Sequence, residues 1–137
     1  HACGAVETAV LAQKDKDYII IEGQGSILHP GSTATLSLMR GSCPTHMILC
    51  HIARNKTLRS VEQIKIPDLK KFIELNESLA SVVGTYPEAK VIGISLNTSQ
   101  MSEEDAKKFM KKTELETGLP AVDVIRFGGD KMFYNLL

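Results

Sequence analysis

The sequence lacks several features that mark particular classes of protein. It contains no tryptophan and only 5% aromatic residues, which argues against recognition of nucleic acid by base stacking. Its 16 basic residues balance its 16 acidic residues, so no strong field attracts nucleic acid or an anionic membrane. No apolar run approaches the roughly 18 residues that a membrane helix needs. We therefore predict a protein with neither a nucleic-acid partner nor a membrane partner.

Cysteine is also scarce. Cys3, Cys43 and Cys50 are an odd number and form no C-x-x-C pair. Neither standard zinc spacing occurs among Cys43, His46, Cys50 and His51. We expect reduced thiols and a cytoplasmic protein, because disulfides persist in oxidising compartments.

Three motifs of well-known chemistry are missing from the 137 residues. There is no G-x-x-x-x-G-K-[ST], the loop that cradles phosphates, and no G-x-S-x-G nucleophile elbow. No G-x-G-x-x-G opens a helix after a strand. The sequence therefore has to be interpreted from its strand ends and loops.

The remaining pattern fits one α/β domain over residues 1–137. The length and the 43% apolar content are sufficient for a buried core. Short apolar runs at residues 18–22, 46–51, 90–96 and 121–124 are typical of strands. Because they alternate with segments of helical spacing, we predict a mostly parallel sheet flanked by helices.

Capping residues mark the two clearest helices. Asp68 is expected to cap a helix that ends near Gly84, and Ser102 to cap one that ends at Gly118. Ser102 and Asp105 also have the spacing of a capping box. The other predictions are helical segments at residues 1–13, after Ser32 or Thr33, and near 131–137, with mostly loop at 53–67.

The most informative stretch covers residues 17–31, D-Y-I-I-I-E-G-Q-G-S-I-L-H-P-G. Its apolar run ends at Glu22, and open α/β sheets bind ligands at the carboxyl ends of their strands. Glu22 is therefore a candidate Mg²⁺ ligand, and the following loop a candidate anion site. The predicted anion-binding residues of this loop are Gly23, Gln24, Gly25 and Ser26. The alternatives are an acid that caps backbone N–H groups and glycines that only make a tight turn.

Five further polar residues lie at or after predicted strand ends. His29 and His51 are candidate general bases, and Arg54 is a candidate clamp for phosphate or carboxylate. Asn97 and Thr98 end the third strand, where a carboxamide can contact a nucleotide base or a substrate carboxylate. Each has a structural alternative, such as backbone hydrogen bonding for His29 and turn capping for Asn97.

Cys50 and His51 are adjacent on one predicted strand. Strand alternation points their side chains to opposite faces, so they do not form a catalytic pair with each other. We interpret Cys50 as a small buried core residue and His51 as a residue of the ligand-binding edge.

Several segments together resemble a known family. They are E-G-Q-G-S at residues 22–26, L-H-P-G at 28–31, L-C-H at 49–51 with Arg54, I-E-L-N at 73–76, V-I-G-I-S-L-N-T at 91–98 and T-G-L-P-A-V-D at 117–123. In this order they resemble a family of P-loop proteins long filed as a domain of unknown function. Its members are associated with D-glutamate N-acetyltransferase activity.

The resemblance implies a larger protein. Family members have a Rossmann-like N-terminal domain followed by a P-loop domain similar to dethiobiotin synthetase. By this resemblance, Glu22 contributes to a Mg²⁺ site and Asn97 contacts a nucleotide base. The family's P-loop and N-terminal domain lie upstream of the matched segments, so we expect this chain to be the C-terminal part of a P-loop domain. A sheet without its first strand exposes an edge, which favours a homo-oligomer.

Three functions remain open at this point. The first is part of an N-acyltransferase that acetylates D-glutamate with acetyl-CoA, active as the full-length protein but not as the isolated chain. The second is an enzyme that uses ATP and Mg²⁺ to activate a carboxylate, as dethiobiotin synthetase does. The third is a non-catalytic nucleotide-binding or assembly module. The first two predict a small-molecule substrate, an amino acid in the first case.

Overall fold

A three-stranded parallel sheet with helices packed around it forms the centre of the fold. The computed structural model describes residues 1–23 and 25–134. Its elements are α1 (Ala2–Leu11), α2 (Thr35–Ser42), β1 (His46–Ile52), β2 (Thr57–Leu58), β3 (Val61–Lys65), α3 (Leu69–Ala80), β4 (Lys90–Asn97), α4 (Glu103–Thr117), β5 (Ala121–Val122), α5 (Val124–Phe127) and α6 (Asp130–Phe133). The sheet has the order β1-β4-β5, with both pairs parallel. The predicted α/β class is confirmed.

The central strand, β4, supplies three of the five buried residues of the main core cluster. Its Val91, Ile94 and Leu96 are buried together with Ile73 of α3 and Ala121 of β5. Ile94 has no exposed surface. A strand that is paired on both sides buries more of its length than an edge strand, so the continuous apolar run of β4 matches its central position.

A bulge in β4 explains why core residues three apart share one side of the sheet. The pairing with β1 steps from Met47↔Val91 to Ile48↔Gly93, so Ile92 is an extra residue on β4. An extra residue resets the alternation of side chains along a strand. Val91 therefore faces the same cluster as the core residues that follow the bulge.

The two predicted caps are confirmed. The Asp68 carboxylate accepts two backbone N–H hydrogen bonds at the start of α3, at 2.9 and 3.2 Å. Ser102 Oγ accepts from the backbone N of Asp105 at 3.1 Å at the start of α4. Gly118 ends α4 in the left-handed region, with φ of 75°. None of the helices in the described residues is long and apolar enough to cross a membrane.

The predicted strand at residues 18–22 is wrong: these residues form no strand in the structure. Tyr18 is 67% exposed and Ile20 is 95% exposed. A consecutive apolar run is typical of a strand in a sheet whose two faces are both covered by helices. No strand of the described chain pairs with this run, and β1 pairs only with β4.

The region predicted as mostly loop, residues 53–67, instead contains the antiparallel hairpin of β2 and β3. Its connection is Arg59-Ser60, and Ser60 adopts the left-handed region with φ of 66°. Glycine or asparagine usually occupies such a position. The sequence lacks that signal, which is why the turn was not predicted.

Other boundaries also differ from the predictions. Helix α2 begins after Ala34 with no side-chain cap, rather than at Ser32 or Thr33. Helix α3 ends at Ala80, earlier than the predicted end near Gly84. Strand β5 ends at Val122 because the side chain of Asp123 caps α5. The predicted last helix is α6, and residues 135–137 lie outside the described residues.

Candidate functional site

A pocket of about 520 Å³ lies at the carboxyl ends of all three parallel strands. It is lined by Cys50, His51 and Ile52 from β1, by Ser95, Leu96, Asn97 and Ser99 from β4 and the turn after it, and by Asp123, Val124, Ile125 and Arg126. Ligands of open α/β sheets bind at this edge, which makes the pocket the candidate functional site.

One wall of the pocket is built around a buried carboxylate. Asp123 is 3% exposed and Thr98 is 1% exposed. Asp123 Oδ2 accepts from the backbone N of Thr98 at 2.9 Å and from its Oγ1 at 2.5 Å. Asp123 Oδ1 accepts from the backbone N of Ile125 and of Arg126, both at 3.2 Å. The end of β4 and the start of α5 are therefore joined through one side chain.

These hydrogen bonds determine the charge of Asp123. Burial by itself raises the pKa of the Asp123 carboxyl, but its four N–H and O–H donors outweigh burial and leave the pKa below its ordinary value. The carboxylate is therefore ionised at neutral pH and acts as an acceptor for its donors.

Arg126 completes this wall. Its Nη1 donates to the backbone O of Thr98 at 3.2 Å, to Thr98 Oγ1 at 3.3 Å and to the backbone O of Met101 at 3.1 Å. The guanidinium also lies 5.6 Å from the centre of the Phe127 ring, within range of a cation–π contact.

His51 lies on the opposite wall, at the end of β1. It is partly buried, and burial lowers its pKa below the ordinary value. The imidazole is therefore mostly neutral near pH 7 and able to accept a proton. Of the two predicted bases, His51 is the one that the structure brings to the pocket.

His29 is used differently. Its Nδ1 accepts from the backbone N of Gly31 at 3.0 Å, and its backbone N donates to the backbone O of Ser26 at 2.9 Å. This is the local hydrogen bonding considered as the alternative. His29 does not line the pocket.

The prediction of Cys50 as a buried core residue is wrong. Along β1 the exposed and half-buried residues alternate, and Cys50 lies on the exposed side. That face is uncovered at β1 because α6 packs against β4 and β5 instead. The opposite orientation of Cys50 and His51 is confirmed. Both still line the pocket because they are the last two residues before the strand ends at Ile52.

The Cys50 thiol gives information about Glu22. Partial withdrawal from water raises the pKa of Cys50, and the negative charge of Glu22 raises it further. Glu22 therefore lies near the β1 wall. Within residues 1–23 and 25–134, no three His, Cys, Asp or Glu side chains are grouped to hold a metal ion. A Mg²⁺ role for Glu22 stays a prediction.

The glycine loop is shaped by contacts with α2 and the turn before it. A Cβ at Gly23 would collide with the side chain of Leu38, and one at Gly25 would collide with Ser32. Gly25 also has φ of 92°, a conformation that glycine adopts without steric cost. Ser26 Oγ accepts from the backbone N of Leu28 at 3.2 Å. The tight-turn alternative thus accounts for these residues, and Gln24 lies outside the described residues.

The remaining predicted residues divide in two. Asn97 lines the pocket, and its Oδ1 accepts from the backbone N of Ser99 at 3.0 Å, which leaves its amide N–H groups without a partner in the described chain. Thr98 is fully engaged by Asp123 and Arg126. Arg54 does not line the pocket and forms an ion pair with Asp105 at 3.4 Å.

Sequence reasoning missed Asp123 and Arg126 as residues of the site. A signal was present, because Asp123 directly follows a short apolar run and Arg126 lies three residues further on. Extending the predicted strand to residue 124 placed Asp123 inside it, which concealed the strand end.

The geometry defines a class of protein: an α/β domain with a pocket at the carboxyl edge of a parallel sheet. Residues 1–133 match the P-loop domain of DUF1611, a family described as a domain of unknown function. The chain belongs to this family and corresponds to its C-terminal P-loop domain.

Relatives and a solved structure agree with that assignment. The chain is 34% identical over 134 residues to a D-glutamate N-acetyltransferase of Pseudoalteromonas, covering 97% of this chain and 40% of the relative. It is 33% identical over 130 residues to a D-glutamate N-acetyltransferase of Tritonibacter scottomollicae, covering 94% of this chain and 38% of that relative. The crystal structure of a DUF1611 family protein from Anabaena variabilis superimposes with a TM-score of 0.92 at 45% identity, over 97% of this chain and 40% of that chain. The chain thus spans about 40% of the length of these proteins.

Proposed function

We propose that this domain belongs to an N-acyltransferase that acetylates D-glutamate, and that the pocket binds a substrate of this reaction. The observation that carries the proposal is His51, a largely neutral imidazole at the carboxyl edge of the sheet. Two relatives at 33–34% identity bear the name of this activity. The domain contributes the pocket walls described above.

His51 supplies what the reaction requires of a protein. The amine of D-glutamate is protonated at neutral pH and has to lose a proton before it attacks. That first proton passes to solvent. In the proposed step, the neutral amine nitrogen forms a C–N bond with the acetyl carbonyl carbon, and His51 accepts the second proton that the nitrogen loses as it becomes an amide nitrogen. The C–S bond of the thioester, as in acetyl-CoA, then breaks, and the departing thiolate receives the proton.

The test compares substitutions at three histidines, each made in the full-length protein. We expect His51→Gln to lower the rate of N-acetyl-D-glutamate formation by about 10²–10⁴-fold, the range of general-base catalysis. His46→Gln is the matched control, because His46 is exposed at the opposite end of the same strand and should leave the rate nearly unchanged. His29→Gln decides between the two predicted bases. A wild-type rate at the level of the uncatalysed reaction would refute the proposed activity.

The ATP- and Mg²⁺-dependent alternative has support in the description of the family as a P-loop domain. In that case Glu22 would be a ligand of Mg²⁺, and ATP would bind only in the presence of Mg²⁺. Calorimetry of ATP with and without Mg²⁺, on the wild type and on Glu22→Gln, separates the alternatives. Acetylation that proceeds without ATP favours the acyltransferase. Binding of neither ATP nor acetyl-CoA favours the non-catalytic module.

A further inference from the structure

Arg126 has a charge that no acidic side chain of the described chain neutralises through an ion pair. Its three protein partners are a hydroxyl and two backbone carbonyl oxygens, all uncharged. Asp123 is adjacent, but its oxygens accept from backbone N–H groups and the Thr98 hydroxyl and not from the guanidinium. Glu103 feels the charge of Arg126, yet its ion-pair partner is Lys107.

The guanidinium is also held in place before any ligand arrives. Nη1 is fixed by oxygens of Thr98 and Met101, and Thr98 in turn is fixed by the buried Asp123. The donors on Nη2 and Nε have no partner within residues 1–23 and 25–134, and the side chain lines the pocket. Less conformational entropy is lost on binding when a donor is already ordered.

Asn97 adds a second donor at the same edge. Since its Oδ1 is occupied by the backbone N of Ser99, its amide N–H groups remain available to a ligand in the pocket. A planar guanidinium together with an amide donor suits an oxyanion. Arg54, the arginine expected from the sequence, is instead paired with Asp105.

From this arrangement we infer that Arg126, assisted by Asn97, is the oxyanion-binding group of the pocket. The oxyanion is either a carboxylate of the amino-acid substrate or a phosphate of the acyl donor. The assignment to these substrates rests on the proposed function, whereas the oxyanion site itself does not.

The kinetic experiment identifies the source of the oxyanion. Arg126→Gln should raise the KM of one substrate by about ten- to a hundredfold, as expected for loss of a charged hydrogen bond. A rise for D-glutamate alone assigns the carboxylate, and a rise for acetyl-CoA alone assigns the phosphate. Arg126→Lys should recover part of the affinity, because lysine keeps the charge but lacks the planar fork. Arg54→Gln, the matched control, should change either KM by less than about twofold.

A binding experiment tests the site independently of the reaction. Glutarate and inorganic phosphate are titrated calorimetrically into the wild type and into Arg126→Gln and Arg126→Lys, after thermal unfolding confirms that each variant is folded. Binding of one anion to the wild type and its loss in Arg126→Gln supports the inference even if acetylation is never observed. Wild-type protein that binds neither anion, or equal binding by Arg126→Gln, overturns it.

Discussion

The two ends of the domain are built differently, although both are rich in apolar residues. From β4 onward, strands and helices enclose Val91, Ile94 and Leu96, and the buried polar residues Thr98 and Asp123 are hydrogen-bonded. Before β1, helix α1 contains no buried residue and the run at residues 18–22 is largely exposed. Apolar composition alone therefore does not determine burial, which requires an element to pack against.

The same contrast divides the pocket. The wall formed by Thr98, Asp123 and Arg126 is fixed by hydrogen bonds between elements. The wall formed by Cys50, His51 and Ile52 belongs to a strand with one neighbour and one uncovered face. The pocket thus has one wall that is held by hydrogen bonds between elements and carries the proposed oxyanion site. The other wall has less support and carries the proposed base.

The largest expected effect tests the contrast between the two ends of the domain, with one substitution in β4 and one in the exposed run before β1. Ile94→Ala should lower the free energy of unfolding by about 2–5 kcal/mol, because it removes a fully buried side chain and leaves a cavity. Ile20→Ala, at a residue that is 95% exposed, should change it by less than about 0.5 kcal/mol. Urea denaturation followed by circular dichroism measures both values. Equal losses would mean that residues 18–22 are buried in solution.

The second prediction concerns the rigid wall. Asp123→Asn should lower the free energy of unfolding by about 1–3 kcal/mol, because the amide group replaces one acceptor and leaves donors without a partner. Asp68→Asn is the control and should cost little, since asparagine caps helices nearly as well as aspartate. Chemical denaturation at pH 7 compares the two.

The pH dependence of stability provides a further check on Asp123. Its pKa in the folded protein is lowered, so its contribution is present above the ordinary aspartate pKa and is lost as pH falls through the lower folded value. The difference in unfolding free energy between wild type and Asp123→Asn should therefore shrink below about pH 4. A difference that stays constant down to pH 2 would contradict an ionised Asp123.

The sequence predicted well what depends on local chemistry. Helices α3 and α4 follow from their caps, and β4 follows from its apolar run, because each signal acts within a few residues. The sequence indicated the strand ends as the ligand edge, and His51 and Asn97 both line the pocket found there, whereas their roles stay predictions. The Asp123–Arg126 wall was not predicted, because it depends on a contact between Thr98 and a residue 25 positions later. The same limit explains residues 18–22, whose partner in a sheet cannot be read from their own composition.

The smallest expected effect compares two helix starts that looked alike in sequence. Ser102→Ala should lower the free energy of unfolding by about 1 kcal/mol, because Ser102 Oγ accepts the N–H of Asp105. Thr33→Ala should change it by less than about 0.5 kcal/mol, because α2 begins later and has no side-chain cap. Differential scanning calorimetry measures both variants, and we expect a lowered Tm for Ser102→Ala alone. A comparable loss for Thr33→Ala would show that α2 begins at its predicted cap, and that the domain's N-terminal end is better ordered than its exposed residues indicate.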